Sequence, residues 1–163
     1  MSSQSPGPSN ITLRPVGPDD YNFLLEVYAS TRAAELAIVP WTTEQRQAFV
    51  QLQFKAQQAH YTKYYPEANH DIILYDGRPV GRLYVARLDQ EIRIMDITLL
   101  PAERNFGIGS YLIKQLLEEA KQTGKVTRIH VENFNPSLHL FERLGFTQGE
   151  QHGIHVLMEW IPS

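Results

Sequence analysis

The chain has 163 residues, of which 42% are hydrophobic and 20% are charged, a balance typical of a soluble globular protein rather than a disordered one. Its formal net charge of -3 predicts no basic surface for nucleic acid or an anionic membrane, and a neutral or cationic partner is easier to accommodate. The absence of cysteine excludes disulfides, thiolate zinc sites and a cysteine nucleophile.

The N-terminal segment differs in composition from the rest of the chain. Met1–Asn10 is rich in Ser, Pro and Gly and predicts a flexible tail, whereas residues 11–163 have the length of a single domain. Met1–Asn10 lacks the charged and apolar regions of a signal peptide, and no apolar run in the sequence is long enough to cross a bilayer. We therefore expect a cytoplasmic domain with no membrane partner.

The first elements of the domain are predicted to be a strand and two helices. Ile11–Arg14 alternates between apolar and polar residues and predicts an edge strand. Gly17–Asp20 is a helix-start signal, and Ala33–Trp41 shows no strong period. Thr42, followed three residues later by Gln45, predicts a capping box at the start of the second helix.

The middle of the chain predicts an antiparallel meander of three strands. Asp71–Tyr75 and Pro79–Leu88 flank Asp76-Gly77, a strong hairpin signal, and Glu91–Leu100 follows as the third strand. Strict alternation along this third strand predicts one shared face. That face would contain Ile92, Ile94, Asp96 and Thr98.

A loop with two glycines joins the third strand to a long amphipathic helix. Pro101 ends the strand, and Arg104-x-x-Gly107-x-Gly109 stands at the head of the helix, where several backbone N–H groups lack helical partners. Such a helix start favours an anion such as a phosphate or pyrophosphate, and Arg104 would add positive charge or brace the loop. Taken alone, the pattern is equally compatible with an ordinary strand-to-helix turn.

The C-terminal third predicts a strand, a short helix and a closing pair of strands. The strand is Val126–Val131, the helix begins at Pro136 and ends before Gly145, and the pair is Phe146–Gln148 with Ile154–Trp160. His152 and His155 lie three residues apart, which in one strand sends them to opposite faces, so we expect no metal site.

Two segments together resemble the GNAT superfamily of N-acetyltransferases. Arg104-x-x-Gly107-x-Gly109 after a strand resembles motif A, whose pattern is Gln/Arg-x-x-Gly-x-Gly/Ala. Ile129–Phe146, with a strand, Asn135, a short helix and a closing Gly-Phe, resembles motif B, and the two matches span roughly residues 91–160. The resemblance implies an α/β (α+β) fold, in which about four helices flank a mixed, mostly antiparallel sheet of about six to seven strands.

The resemblance also implies an activity and a cofactor. It predicts transfer of an acetyl group from acetyl-CoA to a primary amine of a small molecule or protein, directly within a ternary complex. A non-catalytic acyl-CoA sensor or scaffold with the same fold is the alternative, and a nucleotide-binding module is a third. The implied cofactor-binding residues are Ile97, Thr98, Leu99, Arg104, Asn105, Phe106, Gly107, Ile108, Gly109, Ser110, Asn135 and Phe141.

Removal of a proton from the amine requires a general base. Asp96 is the first candidate, because burial beside apolar neighbours would raise the pKa of its carboxyl group into a useful range. It could equally be held in an ion pair by Arg93 or Arg128. Glu132 and His130, on one face of the following strand, are the reserve candidates.

Protonation of the departing thiolate is the second chemical requirement. The family commonly places a Tyr at the position of Phe141, whose phenyl ring cannot donate a proton. Another group could replace it, the thiolate could leave unassisted, or the protein could bind the cofactor without turning it over. The candidate replacements are Tyr84, Tyr111, Ser137 and His139.

Aromatic residues are the candidates for the acceptor side of the site. In the superfamily, the connection between the first two helices helps to wall the acceptor site, and this implies Trp41 as a substrate-binding residue; Tyr84 is a further candidate. Tyr61, Tyr64 and Tyr65 belong to the same group. Packing within the core or a contact in a homodimer explains these aromatics as well.

Overall fold

The computed structural model describes residues 10–163, so the tail predicted at Met1–Asn10 lies outside the described residues except for Asn10. Short 3-10 turns cover Pro18–Asp20 and Pro101–Glu103. The other elements, in chain order, are β1 (Ile11–Pro15), α1 (Tyr21–Ala37), α2 (Thr43–Tyr64), β2 (Asn69–Tyr75), β3 (Arg78–Arg87), β4 (Glu91–Leu99), α3 (Ile108–Thr123), β5 (Val126–Glu132), α4 (Ser137–Arg143), β6 (Thr147–His152) and β7 (His155–Trp160).

The strands form one seven-stranded sheet in the order β1-β2-β3-β4-β5-β7-β6. Neighbouring strands are antiparallel except β4 and β5, which run parallel because α3 carries the chain back between them. The predicted mixed, mostly antiparallel sheet with about four helices is confirmed. No helix within residues 10–163 is long and apolar enough to cross a membrane.

Local signals in the sequence place several elements correctly. The capping box of α2 forms as predicted, since Thr42 Oγ1 accepts from the Gln45 N–H at 3.1 Å and Gln45 Oε1 accepts from the Thr42 N–H at 2.9 Å. The hairpin turn lies at Asp76 and Gly77, between β2 and β3. Helix α1 continues to Ala37, through part of the stretch that showed no period.

Two apolar clusters hold the helices against the sheet. The larger one lies between the sheet and helices α3 and α4 and includes Ile94 and Leu112, while the smaller one joins α1 and α2 to β2. Helix α2 is 22 residues long but buries only Val50 and Phe54 among the described residues. Beyond Phe54 the helix buries no further side chain among the described residues, so polar contacts contribute to its docking there.

A bulge in β4 changes which side chains share a face. The register pairs Val85 with Ile94 and Tyr84 with Asp96, and so passes over Met95. Ile97 consequently joins Ile94 in the cluster under α3, whereas Asp96 turns to the opposite face, toward α2. The predicted face of Ile92, Ile94, Asp96 and Thr98 is therefore wrong, because the extra residue reverses the alternation.

Beyond the bulge, β4 and β5 separate. Their parallel register covers Glu91–Ile94 of β4 and Val126–Ile129 of β5 and stops there. The remaining residues of β4 stay paired with β3 on one side and run beside an opening on the side of β5.

Candidate active site

A cleft of about 1500 Å³ lies where β4 and β5 separate. Its walls come from both strands, the glycine loop, α4, and the facing sides of α1 and α2. The cleft therefore runs from the start of α3 to the helices at the other face of the sheet, and it brings together most of the residues singled out in the sequence.

The glycine loop forms one end of the cleft. Arg104 braces this loop, since its Nε donates to the carbonyl of Leu99 at 3.1 Å. Asn105 and Gly107 have φ values of 67° and 86°, in the left-handed region, and Gly107 is the N-cap of α3. No side chain of the described residues caps this helix start, so the backbone N–H groups of its first turn are available to an anion.

Most of the predicted cofactor residues lie in the cleft wall. Phe106 differs, because its half-exposed side chain falls outside the lining that the described residues form. The lining members are Ile97, Thr98, Leu99, Arg104, Asn105, Gly107, Ile108, Gly109, Ser110, Asn135 and Phe141.

Asn135 and Phe141 shape the wall that α4 provides. The Asn135 Oδ1 accepts from the Ser137 N–H at 2.9 Å, so this residue caps the helix as well as lining the cleft. Phe141 is buried and packs edge-on against Phe146, with ring centroids 5.2 Å apart. Its side chain presents carbon rather than a hydroxyl to the cleft.

Of the four groups that could replace a motif B tyrosine, two lie at the cleft. Ser137 and His139 line it, and Ser137 is one helical turn before Phe141 on the same face of α4. Tyr84 is buried, and the Tyr111 hydroxyl accepts from the Gln115 amide at 2.7 Å. Both tyrosines lie outside the lining as the described residues define it.

The three candidate bases line the opposite end of the cleft, and each lies beside an arginine. Asp96 Oδ2 accepts from Arg82 Nε at 2.6 Å. Glu132 Oε2 is 3.4 Å from Arg32 Nη1, and His130 Nδ1 is 3.4 Å from Arg93 Nη1. The shortest contact thus belongs to Asp96.

Arg82 is the partner of Asp96 that the sequence did not reveal. Its side chain is only 1% exposed, and an arginine buried to this extent almost always has a charged partner. The expected partners of Asp96 were apolar neighbours, Arg93 or Arg128, but both of those arginines bind Glu91 instead. The sequence holds no local signal for the Arg82–Asp96 pair, because the pair depends on the bulge.

The pKa values of His130 and Tyr61 are displaced at this end of the cleft. Burial lowers the pKa of His130, and the nearby charge of Arg93 acts in the same direction, so the imidazole is neutral at pH 7. Burial raises the pKa of Tyr61 to about 12, and the charge of Asp96 adds to the effect. Tyr61 consequently keeps its proton and donates a hydrogen bond to the Met95 carbonyl at 3.2 Å.

The aromatic candidates for the acceptor side divide between the cleft, the surface and the core. Tyr61 and Tyr65 line the cleft, whereas Tyr64 is 58% exposed on the outer face of α2. Trp41 packs edge-on against a neighbouring phenyl ring, and Tyr84 is buried in a stack on an imidazole. The lining formed by the described residues includes neither Trp41 nor Tyr84.

His152 and His155 face each other across the turn between β6 and β7. The register makes them cross-strand partners, so they share a face, and the expectation of opposite faces is wrong because a turn separates them. Within residues 10–163, no group of three or more His, Asp or Glu side chains could hold a metal ion.

Comparison with known proteins identifies the family of this cleft and loop. Residues 30–146 match the model described as the acetyltransferase (GNAT) family, and the chain therefore belongs to the GNAT family of acetyltransferases. No curated protein matches the chain significantly by sequence.

Solved structures share the fold at low sequence identity. The PaiA N-acetyltransferase from Thermoplasma acidophilum, in complex with coenzyme A, has a TM-score of 0.71 at 16% identity, covering 93% of this chain and 98% of that one. PH1933 from Pyrococcus horikoshii OT3 has a TM-score of 0.68 at 16% identity, with coverages of 94% and 99%. YncA from Salmonella typhimurium, with its cofactor acetyl-CoA, has a TM-score of 0.56 at 20% identity, with coverages of 94% and 95%.

Proposed function

We propose that this protein is an N-acetyltransferase that moves the acetyl group of acetyl-CoA directly to a primary amine of a small molecule or protein within a ternary complex. One observation carries the proposal. The opening between β4 and β5 connects the glycine loop at one end with Asp96, His130 and Glu132 at the other. The family assignment supports it, as do the fold relatives that hold coenzyme A and acetyl-CoA.

The cofactor end of the cleft has the features that coenzyme A requires. Left-handed Gly107 allows a close approach of the backbone, and the N–H groups of Ile108–Ser110 would hold the pyrophosphate at the start of α3. Ile97–Leu99 run beside the opening, where their backbone groups can pair with the extended pantetheine arm. Acetyl-CoA would supply the acetyl group as an activated thioester.

Asp96 is suited to position the acceptor nitrogen. Its carboxylate is held by Arg82 Nε and by the Thr98 hydroxyl, which donates at 2.8 Å, and the side chain lines the cleft. The remaining lone pairs can accept a hydrogen bond from the amine. Transfer of a proton to Asp96 would break an ion pair with a buried guanidinium, which is costly.

The proton of the amine therefore leaves toward β5. His130 and Glu132 line the cleft two residues apart on one face of that strand, and their arginine contacts are both longer, at 3.4 Å. His130 is a neutral imidazole, able to take a proton, and Glu132 is a carboxylate. A general base makes kcat rise with pH up to its own pKa, so separate His130→Gln and Glu132→Gln variants identify the base as the residue whose loss removes that rise.

The α4 wall faces the site where the thiolate departs. Because Phe141 offers no hydroxyl, Ser137, one turn earlier on the same face, is the group that donates a hydrogen bond to the sulfur.

The test combines binding with turnover. Calorimetry should show coenzyme A binding and no comparable ATP binding, and incubation with acetyl-CoA and a varied amine panel should release free thiol. Coenzyme A binding without thiol release for any amine would favour the sensor or scaffold alternative. Binding of ATP but not of coenzyme A would favour a nucleotide-binding module. The cytoplasmic location and the homodimer stay predictions of the sequence.

A further inference from the structure

The C-terminal half of α2 docks onto the sheet through polar contacts at the β4 bulge. Gln57 Oε1 accepts from Arg82 Nη2 at 2.5 Å, and Gln58 Oε1 accepts from Arg82 Nη1 at 3.1 Å. One turn later, the Tyr61 hydroxyl donates to the Met95 carbonyl at 3.2 Å. We call Gln57, Gln58 and Tyr61 the polar seam of α2.

The seam holds two consecutive residues of β4. Met95 is the extra residue of the bulge, so the β3 register passes over it and its carbonyl takes a hydrogen bond from Tyr61 instead. Asp96, the next residue, is bound by Arg82, whose guanidinium the two seam glutamines fix. Both contacts come from one face of one helix, so α2 sets the conformation of Met95 and Asp96 together.

The Tyr61 ring and its hydroxyl have separable roles. The ring packs edge-on against Tyr84, with centroids 5.0 Å apart, and this contact does not involve the oxygen. Burial raises the pKa of Tyr61 to about 12, so the hydroxyl is a permanent donor near neutral pH. Removal of the oxygen alone therefore leaves the packing and frees the Met95 carbonyl.

We propose that Tyr61 is a positioning residue for acetyl transfer, which fixes the β4 bulge through the Met95 carbonyl and thereby aims Asp96 into the cleft. The catalytic part of this inference rests on the proposed function. A displacement of about 1 Å at a reacting centre lowers the rate by up to about 100-fold, so the release of one bulge contact is expected to reduce turnover measurably.

Tyr61→Phe tests the proposal, and Tyr64→Phe is the matched control, because Tyr64 lies on the same helix but is exposed outside the cleft lining formed by the described residues. Tyr61→Phe should lower kcat about 10-fold, with the Kd for coenzyme A unchanged within about twofold, as expected when a group acts through geometry. Hydrogen exchange of the amides of residues 94–97 should become faster in Tyr61→Phe and stay unchanged in Tyr64→Phe.

The two readouts separate this inference from the proposed function. An active wild type together with wild-type kcat in Tyr61→Phe would overturn the positioning role. A rise in the KM for the amine at constant kcat would also overturn it, since Tyr61 would then be a direct substrate contact. If the wild type acetylates no amine, the proposed function fails, and the exchange measurement alone decides whether Tyr61 holds the bulge: unchanged exchange overturns the inference.

Discussion

The glycine loop offers a matched pair of substitutions, Gly107→Ala and Gly109→Ala, which add the same methyl group two residues apart. Gly107 has φ 86°, where a side chain clashes with its own backbone, and we expect a loss of about 1 to 2 kcal/mol in unfolding free energy. Gly109 lies in the first turn of α3, and its added Cβ would meet only Leu140 Cδ2, at 4.0 Å, among the described residues. Alanine there should stabilise the helix by up to about 1 kcal/mol.

Thermal unfolding and calorimetry with coenzyme A measure the two effects separately. For a chain of this size, each kcal/mol corresponds to roughly 2 to 4 °C in Tm, so Gly107→Ala should melt below the wild type and Gly109→Ala at or above it. Gly107→Ala should also weaken coenzyme A binding by about 10-fold or more, because a relaxed loop no longer presents its N–H groups to the pyrophosphate. Gly109→Ala should bind within a few-fold of the wild type.

Each variant has an outcome that would contradict its prediction. If Gly107→Ala bound coenzyme A as tightly as the wild type, the loop would not be the pyrophosphate cradle. If Gly109→Ala melted well below the wild type, the space beside Leu140 would be smaller than the structure has it.

Three further predictions concern the buried polar groups and α4. Arg82→Met should lower the unfolding free energy by about 2 to 4 kcal/mol in urea titrations, because it leaves the Asp96 carboxylate without its counter-ion and two glutamine side-chain oxygens without their donor. Arg87→Met, which removes an exposed ion pair, should cost less than about 1 kcal/mol, and equal losses would contradict the role of Arg82. Burial lowers the pKa of His70 to about 4, so between pH 6.5 and pH 4 the unfolded chain binds a proton that the folded protein does not. The free energy of unfolding should therefore be highest above pH 6.5 and fall by roughly 2 kcal/mol toward pH 4. His70→Phe should flatten that slope, and an unchanged slope would refute the assignment. Ser137→Ala should lower kcat about 10-fold without changing coenzyme A binding, and Phe141→Tyr in that background should restore part of it; full activity of Ser137→Ala would exclude the hydroxyl as donor.

Local chemistry made part of the fold predictable from the sequence. The capping box at Thr42 and the Asp76-Gly77 turn each depend on residues within one or two turns of chain, and both form as predicted. The apolar residues at helical spacing along one face of α3 are likewise a local pattern, and they pack into the larger apolar cluster. For the same reason the glycine loop could be recognised at the head of α3.

The position of Asp96 in the cleft was not predictable, because it depends on contacts between residues that are distant in the sequence. The alternation of β4 gives no sign of an extra residue at Met95, and the reversal of faces puts Asp96 against Arg82, 14 residues earlier in the chain. Helix α2 has only a weak apolar stripe, so nothing local indicated that Tyr61 would reach the bulge. Trp41 was a candidate only through the family resemblance, and the structure packs its ring against Phe49, outside the cleft lining formed by the described residues; its role in substrate binding stays a prediction.

The proposed transfer of an acetyl group from acetyl-CoA to an amine, in the cleft between β4 and β5, can be followed through the acetyl group itself. The most direct measurement is mass spectrometry of an amine panel after incubation with acetyl-CoA labelled with carbon-13 in the acetyl group. The Gly107→Glu variant, which puts a side chain and a negative charge into the pyrophosphate cradle, is the control. We expect label in at least one amine with the wild type and none with the variant. Label that appears equally with both proteins, or in no amine although the wild type binds coenzyme A, would contradict acetyl transfer in this cleft.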